Sequence, residues 1–214
     1  MSSKNHNTNP HFIAELQAGT IYLTENDPIL NKYIEIIGAC DLRPAKDPFA
    51  NLIHSIIGQQ LSVKAANTII GRFNNLINSY YVPSKLMEIS VERIRGCGLS
   101  NSKSQYVKNI AEHKLNNEEL WKEWVNLSNQ EVYQELIQIK GVGPWTIDMF
   151  LIFSLGRLNV LPLGDLGLQN IVKKIYGDDQ NLKDAALNWG NYSSIASWYL
   201  WKVLDDGMGL VSLS

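Results

Sequence analysis

Side chains able to start a helix recur along this chain at short intervals, and nothing between them reads as strand. Asp27-Pro28 and Asp47-Pro48 each set a capping carboxylate before a proline at the first helical position, where the missing amide costs nothing. Ser62 stands ahead of a segment from Val63 to Leu76, whose Ala65, Ala66, Ile69, Ile70 and Phe73 form one apolar stripe. Ser90 precedes Val91 to Ile94, and Ser102 is expected to open a helix through Tyr106, Val107 and Ile110. Ser128-Asn-Gln-Glu131 is a capping box, followed by Val132, Leu136 and Ile139 at helical spacing. Ile195, Trp198, Tyr199, Trp201 and Leu204 form a broad stripe of the kind a packed helix needs, so Trp198 and Trp201 read as core. With no Asn-Gly turn and no sustained alternation of apolar and polar residues, the fold is expected to be all-α with short connections.

Composition narrows the functional classes. Of 214 residues, 45% are hydrophobic, enough for a substantial core. The longest apolar run, Met149 to Leu155 with Ser154 inside it, is far short of the ~18 residues of a membrane span. The opening MSSKNHNTNP has no apolar signal region and is expected to be a disordered tail up to about Pro10. Cys40 and Cys97 are too few for a four-cysteine zinc or iron–sulfur site and give no disulfide framework, which suits a cytoplasmic setting. His6, His11, His54 and His113 offer no pair at metal spacing, so no catalytic metal and no cofactor are expected. The net charge of −2 hides an uneven distribution. Residues 61–110 carry seven basic and two acidic side chains, 111–135 two and six, and 136–175 four and two. Such a chain can present one basic face to a polyanion, although solvated helix surfaces would give the same sums.

Leu136-Ile-Gln-Ile-Lys-Gly-Val-Gly-Pro-Trp-Thr146 is the most informative stretch. One helix ends near Ile139, Gly141 and Gly143 are both free to take positive φ, and Pro144 suits the start of a second helix through Met149, Ile152 and Phe153. Val142 between the glycines can plug the core beneath the turn. Backbone amides at such a helix start, aided by the dipole, make a site for a phosphate, to which Thr146 could add its hydroxyl. A plain helical corner that turns on glycine is the alternative.

The string resembles the helix-hairpin-helix of DNA repair glycosylases. Three further stretches, in order, sharpen this: Gly58-Gln-Gln-Leu-Ser-Val-Lys-Ala-Ala66, Gly98-Leu-Ser-Asn-Ser-Lys103 and Leu161-Pro-Leu-Gly-Asp-Leu-Gly-Leu168. Together they are similar to the DNA-3-methyladenine glycosylase II (AlkA-like) family of the HhH-GPD superfamily over about Phe49 to Leu204. The resemblance implies two α-helical lobes, one from about 49 to 155 and the other from 11–48 plus 156–214, with hairpin and catalytic residue facing a cleft between them. It implies a hairpin of Lys140, Gly141, Val142, Gly143 and Thr146 that grips DNA without reading sequence, with a monovalent cation bridging to phosphate at Gly141 and Gly143. It also implies that Ser102 and Lys103 are further backbone contacts and that Gln59, Gln60 and Leu61 form the intercalating loop that fills the hole left by an extruded base.

By the same resemblance Asp165 is the catalytic carboxylate, though as the N-cap of a helix from Leu166 to Tyr176 it would have a purely structural use. Trp145 and Tyr192 are the aromatics expected to stack on a cationic alkylated purine; packing is their structural alternative. Trp145 stands where bifunctional relatives carry a nucleophilic lysine, so no Schiff base and no lyase step are expected. Trp189-Gly-Asn-Tyr-Ser-Ser departs from the family's Trp-x-Pro-x-Arg-Ser at Asn191 and Ser193, which leaves the pocket wall open. The expected protein is a monomeric hydrolase acting on double-stranded DNA containing alkylated bases, cytoplasmic and nucleoid-associated or nuclear, with no membrane partner. A sister enzyme for deaminated or oxidised purines, or a non-catalytic DNA-structure binder, would share the hairpin.

Overall fold

The computed structural model describes residues 9–205 and 207, so the expected tail up to about Pro10 lies almost wholly outside the described residues. Among the described residues there are helices and no strands. In chain order they are α1 (Pro10–Asn26), α2 (Pro28–Ile37), α3 (Pro48–Gly58), α4 (Val63–Leu76), α5 (Pro83–Glu88), α6 (Val91–Arg95), α7 (Asn101–Asn116), α8 (Glu118–Glu123), α9 (Asn129–Leu136), α10 (Pro144–Phe153), α11 (Leu166–Tyr176), α12 (Leu182–Ala185) and α13 (Ser193–Asp205).

Local chemistry accounts for most of these starts. Asp27 accepts from the Ile29 and Leu30 amides, Asp47 from those of Phe49 and Ala50, and Ser128 and Glu131 close their capping box. Ser62 and Ser90 cap α4 and α6. One start is corrected. The serine that opens α7 is Ser100, whose hydroxyl accepts from the Lys103 amide, while Ser102 is already inside the first turn and exposed. Both serines precede the apolar stripe, and Ser100 is the one whose hydroxyl takes a first-turn amide three residues on.

Two compact units form. Ala45–Leu155 contains α3 to α10. Its core is built on α3, where Phe49, Leu52, Ile53, Ile56 and Ile57 are fully buried and meet α4, α7 and α10. Trp121 stacks on Trp124 with ring centres 3.9 Å apart, and Phe150 of α10 meets Trp124 edge-on at 5.1 Å. Lys108 reaches in from α7 to donate to the carbonyls of Leu86, Met87 and Ile89, satisfying the end of α5.

The other unit holds α1, α2 and α11 to α13. α13 packs on α1, α2 and α11 through Ile195, Trp198, Tyr199, Leu200 and Val203. At its centre lies Asp27, only 1% exposed. One oxygen caps α2; the other accepts from the Tyr176 hydroxyl at 2.6 Å and the Trp189 indole at 2.8 Å. The buried carboxylate thus ties the α1–α2 junction to the far end of α11, the helix that Asp165 begins.

Candidate nucleic-acid interface and active site

The hairpin lies in the Ala45–Leu155 unit. After α9 the Val142 amide donates to the Ile139 carbonyl at 2.9 Å, and Val142 seals the turn at 4% exposure. Gly141 takes φ +106°, and a methyl group there would come within 2.1 Å of the Tyr106 ring. Gly143 does not follow the expectation of positive φ. At φ −102° and ψ 174° it is extended, and its missing side chain matters for access instead, since a Cβ there would meet nothing within 4 Å. Pro144 begins α10, and no side chain caps that helix, leaving its positive end open to an anion. Lys140 is exposed beside it. The carbonyls of Gly141 and Gly143 each accept one internal bond, from Gln59 at 3.5 Å and from the Ile147 amide at 3.0 Å. Each retains a lone pair of the kind a monovalent cation uses.

Thr146 sits differently from its expected place among phosphate contacts. It is 3% exposed, and its hydroxyl accepts from Gln59 Nε2 at 3.1 Å. This bond joins the hairpin to the turn after α3. The turn itself is tight: Leu61 N donates to the Gly58 carbonyl at 3.1 Å, with Gln59 at φ −48°, ψ 128° and Gln60 at φ +57°. That is a type II turn with glutamine where glycine would be relaxed. The left-handed conformation costs roughly 1–2 kcal/mol. Gln60 and Leu61 form the exposed tip, whereas Gln59 faces inward.

Between turn and hairpin lies an open pocket of about 540 Å³, with Gln59, Gln60, Tyr106 and Trp145 on its walls. Trp145 is 40% exposed on the pocket wall. Tyr106 and Asn109 were absent from the expected site. Asn109 Nδ2 donates to the Lys140 carbonyl at 2.9 Å, and Tyr106 packs on Gly141. Their spacing was the available signal: Lys103, Tyr106 and Asn109 recur every third residue on α7. Lys103, expected on the DNA backbone, donates two of its ammonium hydrogens to the carbonyls of Ile57 and Gln59. Burial lowers its pKa.

Asp165 and Tyr192 lie in the second unit. Asp165 is the N-cap of α11, 8% exposed, with Oδ1 accepting from the Leu168 amide at 2.9 Å. Its own amide closes a turn onto Pro162, and Gln169 Nε2 braces the Leu163 carbonyl. Gly167 leaves room for the carboxylate, because a Cβ there would stand 3.1 Å from Oδ1. The approach to this turn is pinned by Ser194, whose amide donates to Leu158 and whose hydroxyl accepts from the Val160 amide at 2.9 Å. The contact seen for this carboxylate is thus the cap bond through Oδ1. Tyr192 is half-buried, its ring 5.4 Å from that of Tyr22 and close over Gly19. Much of one face is thus spent on α1. Trp198, at 7% exposure, is core, and Trp201 is half-buried. Among the described residues no cluster of three metal-ligating side chains occurs, and no helix is long and apolar enough to cross a membrane.

Residues 53–188 match the model of the HhH-GPD superfamily of base excision DNA repair proteins, and the chain belongs to that superfamily. It is 34% identical over 204 residues to DNA-3-methyladenine glycosylase 1 of Schizosaccharomyces pombe, covering 89% of this chain and 88% of that one. It is 33% identical over 193 residues to the alkylbase DNA glycosidase-like protein mag2 of the same yeast, covering 85% and 91%. The structure of the yeast 3-methyladenine DNA glycosylase Mag1 in complex with abasic DNA superposes with a TM-score of 0.78 at 32% identity, covering 88% of this chain and 97% of that chain.

Proposed function

We propose that this chain is a monofunctional DNA glycosylase that hydrolyses the bond between deoxyribose and an alkylated purine, 3-methyladenine first and 7-methylguanine second, leaving an abasic site. The observation that carries this reading is the Asp165 carboxylate, held in one orientation at the start of α11 in a chain of base-excision descent. As the bond to the base lengthens, its electron pair leaves with the base and the sugar becomes cationic. An anion held rigidly beside the sugar lowers the energy of that state without reorganising. Asp165 then takes a proton as water adds to the sugar carbon. An N-methylated purine is already cationic, so it departs neutral and needs no separate acid. Trp145 offers its exposed face to that cationic ring.

The hairpin supplies grip. The uncapped start of α10, the bare Gly143 and Lys140 take the phosphates, and the Gly141 and Gly143 carbonyls would hold a monovalent cation that would add positive charge to the same contact. Gln60 and Leu61 fill the gap in the stack, since the target bond is reachable only after the nucleotide rotates out. Trp145 in place of a lysine leaves no amine there for a covalent sugar adduct, so the strand is not cut. The protein acts as a monomer on duplex DNA. A sister activity on deaminated or oxidised purines is the second reading, because Asn191 and Ser193 in place of the family's proline and arginine leave the pocket wall unassigned.

The test is incubation with N-methylated DNA followed by chromatography of freed bases, beside duplexes carrying single oxidised or deaminated purines. Free 3-methyladenine with an intact backbone is expected. Strongest release from an oxidised or deaminated base would transfer the assignment to the second reading, and binding without release of any base would leave a DNA-structure binder.

A further inference from the structure

Two surface features that meet DNA in the function proposed above, the tip at Gln60–Leu61 and the hairpin, are far apart in sequence and share no helix. Each is fastened to one face of α7. Lys103 donates to Ile57 at 3.0 Å and to Gln59, Tyr106 underlies Gly141, and Asn109 holds the Lys140 carbonyl at 2.9 Å. The Gln59 amide closes the circuit by donating to Thr146 Oγ1 at 3.1 Å.

We propose that Lys103 is a positioning residue for base extrusion: its ammonium clamps the end of α3, fixes the strained Gln60 tip, and through Gln59 sets that tip in register with the hairpin. Three observations converge on it. The carbonyls it bonds are those of Ile57 in the last turn of α3 and of Gln59, its C-cap, a helix end where carbonyls lack intrahelical donors and attract a cation. The tip they lead into holds glutamine at φ +57°, a conformation that persists only where the surroundings over-determine it. The clamped residue, Gln59, is the one that reaches the hairpin rather than the solvent. A loop that enters a base stack must present its side chain at a set height above the gripped phosphates. Misplacement by about 1 Å can cost about a hundredfold in rate.

This inference rests on the glycosylase reading for its consequence but not for its geometry, and the experiment separates them. Lys103→Met, Lys103→Arg and, as a phosphate-contact comparator, Lys140→Met would be compared with the parent. The readouts are amide hydrogen exchange without DNA, the salt dependence of binding to a duplex with an abasic analogue, and single-turnover release from methylated DNA. For Lys103→Met, exchange is expected to accelerate at residues 59–61 and 141–143, and release to fall about tenfold to a hundredfold. The slope of log affinity against log salt should stay that of the parent, whereas Lys140→Met should flatten it by about 0.9. Lys103→Arg, which can donate to both carbonyls, should recover most of the release. Unchanged exchange at the tip and hairpin would overturn the clamp, as would a Lys103→Met slope flattened like that of Lys140→Met, which would return Lys103 to the DNA backbone. If the parent releases no base, the glycosylase reading fails while the exchange data still decide the clamp.

Discussion

Replacing Gly141 by alanine tests whether the hairpin is held as described. Two costs add. At φ +106° the backbone is in territory that an L side chain enters at roughly 1–2 kcal/mol. The new methyl would also stand 2.1 Å from Tyr106 Cγ and 2.5 Å from both Cδ atoms, an overlap with the middle of a rigid ring rather than the end of a flexible chain. Relieving such overpacking costs about 1–3 kcal/mol. The sum is about 3 kcal/mol, or about 6–12 °C in Tm for a chain of this size. The two parts can be separated. In a Tyr106→Ala background the ring is gone, so Gly141→Ala should cost only the backbone share of about 1–2 kcal/mol. Thermal and urea unfolding of the four proteins give the cycle, and affinity for an abasic-analogue duplex should drop for Gly141→Ala in parallel. A Gly141→Ala cost below about 0.5 kcal/mol, or the same cost in both backgrounds, would refute the packing argument.

Two further substitutions probe the scaffold. Asp27→Ala strips the acceptor from the Tyr176 hydroxyl, the Trp189 indole and two amides at the start of α2, and should cost about 3–5 kcal/mol in urea unfolding; a loss under about 1 kcal/mol would show the hub to be dispensable. Asp148 on α10 has its carboxyl pushed up to about 6 by burial, so between about pH 4 and 6 the folded chain holds a proton the unfolded chain has released. Stability contributed by that proton is lost as pH rises through the window. Asp148→Asn should therefore raise Tm at about pH 7.5 and lose its advantage near pH 4; an advantage independent of pH would contradict this.

How far the molecule could be read in advance depended on the range of the interactions. Asp47-Pro48, Ser128 with Glu131, and Asp165 ahead of Leu166 place their helix starts because each cap is satisfied within three residues. Ser102 misled because Ser100 offers the same chemistry two residues earlier and its hydroxyl takes the Lys103 amide. α8 begins at Glu118 with no side-chain bond from its N-cap Asn117 and buries none of its residues, so neither signal was there to find. At the site, the hairpin and its glycines were legible but not the sign of φ at Gly143, which follows from how α10 is entered. The bonds from Lys103 to Gln59, from Gln59 to Thr146 and from Asn109 to Lys140 span 31 to 87 residues, and no local pattern encodes partners at that distance.

Asp165→Asn bears most directly on the central claim, because asparagine caps a helix about as well as aspartate and can still accept from the Leu168 amide. Fold and cap are retained while the negative charge is removed. Single-turnover release of 3-methyladenine from methylated duplex should fall by about a hundredfold or more, with Tm and affinity for the abasic-analogue duplex close to those of the parent. Release by the asparagine variant at the parent's rate would reduce Asp165 to a helix cap and remove the anion on which the proposed chemistry depends.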